Sequence, residues 1–297
     1  MPLAKALSFL SAKKIIFDPL ASRFETKIID WQRSPENSWQ AKWNFHIDRW
    51  AFKLSDIVLA DTQAHKDYYC REFSLPPEKV AVLPVGFDDD LFNPHLLPTT
   101  AEKRTPFKVL FFGSFLPLHG VEVIIKASQI ISEKDSTVQF RLIGSGQTLE
   151  RSQALALKFG LNNVLFENWL PLPELPGRIF SADICLGIFG KTEKAQRVVP
   201  HKIFQAMGMM KPVVTYRTPA VREFFTHREN IFLTSEASAE HLARAILELK
   251  ENNNMRQRIA EKGYLHVSRN FSPLAIGSAL IKIIERNFGC ISGSEIL

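Results

Sequence analysis

From Phe107 onward the sequence alternates short apolar runs with longer stretches whose apolar residues recur at helical spacing, and this rhythm limits the fold more than any other feature. The runs FKVLFF, TVQFRLI, NVLF, DICLGIF and PVVTY, with NIFL as a sixth, are short enough for buried strands, and segments such as VEVIIKASQII between them read as amphipathic helices. Strands that alternate with helices are joined by crossovers, which place them side by side in a parallel sheet covered on both faces. The predicted class is α/β, with a doubly wound, Rossmann-like sheet over residues 101–271.

Upstream, the same reading gives fewer elements. Leu3, Leu7 and Leu10 fall on one helical face ahead of a strand at about Lys13–Phe17. Ser34-Pro35-Glu36 supplies a helix cap and a first-turn proline for a helix running to about Leu54. DIVLAD and KVAVLP read as strands on either side of a helix over Gln63–Phe73, and PVGFDDDLFNP is a turn. Residues 1–100 therefore form a partial first domain, too short for the architecture of the second. FSPLAIGSALIKIIERNF opens a last amphipathic helix in 272–297. A length of 297 residues suits two domains.

Composition removes several function classes. Lys and Arg number 37 against 31 Asp and Glu, and the resulting charge of +6 is spread along the chain, which argues against a nucleic-acid partner. Cys70, Cys185 and Cys290 lie too far apart for a disulfide framework or a metal-ligand set. No apolar run reaches the roughly 18 to 20 residues of a membrane-spanning helix. The expected location is the cytoplasm, with peripheral contact to a membrane surface compatible with the positive charge.

In a doubly wound sheet ligands bind beyond the carboxyl ends of the strands, so the glycine-bearing turns there are the candidates. GSFLPLHG, Gly113 to Gly120, leaves the first strand of the second domain and enters a helix; its glycines let backbone N–H groups approach a phosphate, although a tight structural turn needs the same residues. IGSGQ, with Gly144 and Gly146, repeats the geometry after the next strand and lacks the three-glycine dinucleotide fingerprint. In KTEKAQRVVPHKIFQAMGMMKPVVT a loop holding Lys191, Lys194 and Arg197 runs into a helix near Pro200, on which Lys202 and Gln205 share a face and Ile203, Met207 and Met210 can turn to the sheet. Cations and a helix start both favour an anion such as a diphosphate, whereas a solvated basic loop over a structural helix fits the same pattern.

Read in order, the strand, GSFLPLHG, IGSGQ, NVLFENW and the Pro-x-Lys helix ending MMKPVVT resemble the C-terminal domain of family-4 glycosyltransferases, group 1 glycosyl transferases of the GT-B fold. SDIVLADTQAHKDYYCREFSLPPEKVAVLPVGFDDDLFNP resembles the end of that family's N-terminal domain. The resemblance implies two Rossmann-like domains, the first incomplete here, a nucleotide-diphosphate-sugar donor held mainly by the second domain, transfer with retention, and no cofactor or obligatory metal. It implies that Gly113 and Gly120 frame the phosphate turn, that Gly144 and Gly146 approach the nucleotide, that Trp169 flanks the base and that Gln205 contacts ribose; with Ser114 and His119 in that turn, phosphate binding leans on Arg197 and Lys202.

Departures from the family pattern accompany the matches. Ser114 and His119 stand where members carry an Arg and a Lys, and Arg197 and Gln205 stand at the family's two glutamates, so no catalytic base is assigned. The family's opening strands have no counterpart before Lys13, which implies a late start, a second chain supplying the missing half, or gene decay. A non-catalytic sugar-nucleotide-binding partner subunit and a sugar-nucleotide epimerase are the rival functions. The acceptor, a glycan or a lipid-linked one, is not specified. Asp88-Asp89-Asp90 reads as part of a turn in preference to a metal site, and His46, His65 and His201 as surface or packing residues.

Overall fold

The computed structural model describes residues 1–97 and 106–289, so Cys290 and the stretch around residue 100 lie outside the described residues. The chain forms two compact units, one of Met1–Gly86 with the segment from Asn270 onward, the other of Phe87–Arg269.

The first unit contains α1 (Pro2–Ser11), β1 (Ile16–Phe17), a π-helical segment at Glu25–Asp30, α2 (Trp39–Leu54), β2 (Ile57–Ala60), α3 (Gln63–Phe73) and β3 (Val80–Val82). Its sheet is parallel in the order β1-β2-β3, with Ile16 opposite Ile57 and Val58 opposite Val80. Phe52, Val58, Tyr69, Phe73 and Val80 pack as its core. The helix expected to open at Ser34-Pro35-Glu36 begins instead at Trp39. Ser38 holds an extended backbone, its hydroxyl accepts the Ala41 N–H, and its own N–H donates to the Pro35 carbonyl, so residues 35–38 form a turn. The π-helical segment had no sequence signal that separated it from loop.

The second unit holds the strands β4 (Phe107–Phe112), β5 (Val138–Ile143), β6 (Val164–Glu167), β7 (Ile184–Leu186), β8 (Val213–Tyr216) and β9 (Phe232–Thr234), which correspond to the six apolar runs. Between and after them come α4 (Val121–Ser132), α5 (Leu149–Lys158), α6 (Leu175–Phe180), α7 (His201–Gly208), α8 (Pro219–Phe224), α9 (Ala239–Glu251) and α10 (Asn253–Asn270). The chain ends, among the described residues, with α11 (Pro273–Phe288), capped by Ser272 as expected and belonging to the first unit. All six strands are parallel in the order β6-β5-β4-β7-β8-β9. Strand order reverses between β4 and β7, and that is where a doubly wound sheet opens its binding crevice. Phe111, Ile124, Ile125, Phe140 and Ile246 are fully buried between sheet and helices.

DICLGIF yields a shorter strand than its apolar length suggests. After Leu186 one more ladder bond forms, from Gly187 N–H to Val214 O at 2.8 Å, and then the Thr215 hydroxyl takes the Ile188 N–H at 3.0 Å. The next donor, Phe189 N–H, turns to the His119 carbonyl at 3.0 Å. The strand ends because its backbone changes partner from β8 to the turn that follows β4.

Candidate functional site

At the carboxyl edge of the second sheet the turns after β4, β5 and β7 are stitched together by backbone hydrogen bonds. Gly113 N–H donates to Ile143 O at 3.0 Å, Phe115 N–H to Ser145 O at 2.9 Å, Thr148 N–H to Phe115 O at 2.8 Å and Gly190 N–H to Leu118 O at 3.1 Å. Two glycines permit this closeness. A β-carbon on Gly144 would stand 2.1 Å from the Gly113 carbonyl oxygen, and one on Gly120, whose φ is +62°, would stand 2.4 Å from the Phe189 carbonyl carbon. Gly120 also ends the short 3-10 turn Pro117–His119 and begins α4, so the first N–H groups of that helix open at the strand-order reversal.

Lys202 enters this edge from α7. Its side chain is buried, its Nζ sits 3.9 Å from the centroid of the Phe111 ring, and that nitrogen would be 2.9 Å from a β-carbon on Gly113. The amine has no hydrogen-bond partner among the described residues. Burial pushes its pKa well below the ordinary lysine range. A cationic group in such a place is expensive without an anion, and the ring face compensates only in part.

His119 lies beside it and is committed to the turn. Its Nδ1–H donates to the Ser114 carbonyl, which fixes the tautomer, because a carbonyl oxygen only accepts. Burial, and then the neighbouring Lys202 charge, hold its pKa well below the usual histidine range, so the ring is neutral and its Nε2 is an acceptor. His119 thus shapes the turn without adding a charge to it. Ser114 is half-buried in the same turn and offers its carbonyl to that histidine.

The remaining candidates are placed with different degrees of convergence. Gly146 belongs to the stitched edge, since a β-carbon there would lie 2.7 Å from the Phe115 nitrogen. Arg197 is buried at the end of the 3-10 turn Lys194–Gln196, and its guanidinium donates to the Glu193 carboxylate at 2.5 Å. Gln205 is half-buried on α7, one turn beyond Lys202. Trp169, half exposed, lines an apolar cavity of about 230 Å³ with Phe112, Ile143, Leu170, Leu172 and Leu175. Phe112 and Ile143 directly precede Gly113 and Gly144, so the cavity lies beside the glycine turns, and two of its lining side chains, Phe112 and Trp169, are aromatic.

Sequence reasoning missed Phe111 as the ring under Lys202, Glu193 as the partner of Arg197, and the leucines of the cavity. The LPLPEL run after Trp169 carried a signal for the last of these, as an apolar stretch outside any strand or helix period. Among the described residues no group of three His, Cys, Asp or Glu side chains is placed to hold a metal ion. In the aspartate run, Asp88 accepts the Leu91 N–H at 2.9 Å, which is turn chemistry. His46 and His201 are exposed, while His65 is fully buried. No helix among the described residues is long and apolar enough to cross a membrane.

The sequence profile of the family described as glycosyl transferases group 1 matches residues 96–266. An uncharacterized glycosyltransferase of Methanocaldococcus jannaschii is 24% identical over 243 residues, which is 81% of this chain and 61% of that protein. The amylovoran biosynthesis glycosyltransferase AmsK of Erwinia amylovora is 23% identical over 71% of this chain and 52% of its own length. The chain therefore spans between about half and six-tenths of these curated relatives. Among solved structures, Anabaena HepE in complex with UDP and glucose superimposes with a TM-score of 0.75 at 19% identity, covering 95% of this chain and 74% of that one. The solved neighbours share the GT-B fold.

Proposed function

The chain belongs to the group 1 glycosyl transferases, and from that premise we propose that it is a family-4-type enzyme that passes a sugar from a nucleoside-diphosphate sugar to an acceptor hydroxyl with retention of configuration. The observation that carries the donor reading is the buried Lys202 amine, which has no hydrogen-bond partner among the described residues and stands at the Gly113 turn. A diphosphate is the anion whose size and charge suit a lysine, a set of converging glycine turns and the opening N–H groups of α4. The apolar cavity walled by Trp169, Phe112 and Ile143 then takes the base, and Gln205 meets the ribose.

In this reading catalysis is electrostatic. Lys202, Arg197 and the helix N–H groups stabilise charge as it develops on the departing nucleoside diphosphate, and the acceptor hydroxyl attacks from the face the leaving group vacates. Ser114 and His119 frame the turn. No side chain is assigned as base, because Arg197 accepts no hydrogen bond and Gln205 is a weak acceptor. No cofactor or metal takes part. The enzyme works in the cytoplasm with peripheral membrane contact, on a glycan or lipid-linked acceptor, and a partner chain, where one binds, acts on the acceptor side.

UDP is the first nucleotide to test, because the HepE structure holds it. Calorimetric titration with a panel of nucleoside diphosphates and their sugars should give saturable binding by one nucleotide class, and the matching sugar donor should be consumed in the presence of acceptor. A folded protein that binds none of them overturns the donor reading. Binding without turnover on any acceptor leaves a sugar-nucleotide-binding subunit in its place.

A further inference from the structure

The outer face of α2 is used by nothing described so far. Trp39, Trp43, His46, Trp50 and Lys53 recur at intervals that fall on one stripe at about 100° per residue, and all five are exposed. The tryptophans are 73%, 48% and 56% exposed, unusual for the largest apolar side chain. Trp39 and Trp43 stack on each other, ring centroids 5.8 Å apart and planes within 6°. Lys42 and Arg49 border the stripe along one side. The only carboxylate in the helix, Asp48, points the other way, where it accepts the Ser22 hydroxyl at 2.7 Å and the Phe24 N–H at 2.8 Å. Three indoles and three cations thus share a face that carries no negative charge.

We propose that this face of α2 is a membrane-contact surface that lies on an anionic lipid bilayer. The indole is the side chain suited to the boundary between headgroups and acyl chains, because its body is apolar and its N–H stays wet. From Trp39 to Trp50 the helix rises about 16 Å, so the rings meet a flat surface along a line instead of filling one pocket. Lys42, Arg49 and Lys53 supply the complement to anionic headgroups. The stripe itself holds no aliphatic residue, which sets it apart from the packed centre of a protein interface and confines it to headgroup depth. This surface gives a location to the peripheral contact proposed above and is independent of the donor site, whose residues all lie in the other unit.

The test is sedimentation of the full chain with vesicles of phosphatidylcholine alone and of phosphatidylcholine with about one third phosphatidylglycerol, at low and high salt. The expected result is binding to the anionic vesicles alone, a blue shift of tryptophan emission on binding, and release by salt. Changing Lys42, Arg49 and Lys53 to Gln should weaken binding on the order of a hundredfold, and Trp39→Ala with Trp43→Ala and Trp50→Ala should abolish the blue shift. Circular dichroism and nucleoside-diphosphate titration of each variant separate a lost surface from a lost fold and from failure of the donor reading. Absence of binding to anionic vesicles at low salt overturns the proposal. So does vesicle binding unchanged in both variants, or a wild-type dimer in solution that the tryptophan variant converts to monomer.

Discussion

Lys202 joins stability to function in one atom. Its pKa is depressed in the folded chain, so between that lowered value and the ordinary lysine range the unfolded state holds more protons, and stability rises with pH across that window. Lys202→Met fills the same space without an amine and should stabilise the fold at neutral pH by about 1 to 3 kcal/mol in chemical denaturation, while weakening donor binding. A diphosphate beside the amine favours its charged form, so nucleotide binding should take up protons and tighten as pH falls. Calorimetry in buffers of different ionisation enthalpy measures that uptake, and the methionine variant should lose it. His65 has the opposite sign. Burial lowers its pKa, but hydrogen bonds to Asp61 Oδ1 at 2.6 Å and Glu25 Oε2 at 3.1 Å, with both carboxylate charges, outweigh burial and raise it from 6.5 to about 9. The imidazolium's contribution is complete below pH 6.5 and is lost as pH rises through about 9. Melting temperature should fall across that interval, and His65→Ala should remove most of the dependence at a cost of roughly 3 to 5 kcal/mol. Lys202 was legible as a candidate anion ligand from its place beside Pro200. Its burial against Phe111 and the Glu25 carboxylate at His65 were not, because those neighbours come from segments far away in sequence; Asp61 stands only four residues before His65.

At the scale of elements, period separated strand from helix well wherever an element was long or buried. The six strands of the second unit emerged from apolar runs alone. Boundaries set by competing local hydrogen bonds were harder. Ser34 and Ser38 are both plausible caps four residues apart, and only the turn from Pro35 to Ser38 decides between them. Ser38→Ala should cost about 1 kcal/mol, and Ser34→Ala less than roughly 0.5 kcal/mol, as equilibrium unfolding would measure. The early end of β7 depends on a threonine from the neighbouring strand, which no local pattern encodes. Gly120 joins element to site, since its left-handed backbone and its contact with Phe189 both exclude a side chain. Gly120→Ala should destabilise by roughly 2 to 3 kcal/mol and weaken donor binding with it. Loss of binding with unchanged stability would mean that the glycine serves the ligand alone.

For the whole molecule, the profile match over residues 96–266 lies where the sequence was most regular, and likeness to solved structures extends to 95% of the chain. The first unit was less legible because its sheet has three strands, one of them two residues long. The candidate site residues came from the order of motifs, and the structure adds which features lie together: three turns held by backbone bonds, one buried lysine and an apolar cavity beside them. The proposed donor site depends on a diphosphate meeting this lysine. Titration of UDP and UDP-sugars into wild type and Lys202→Met, with both shown to be folded, tests it most directly. Saturable binding by the wild type is expected, with binding weaker by about ten- to a hundredfold in the variant; equal affinities, or a folded wild type that binds no nucleoside diphosphate, would rule out this role for Lys202.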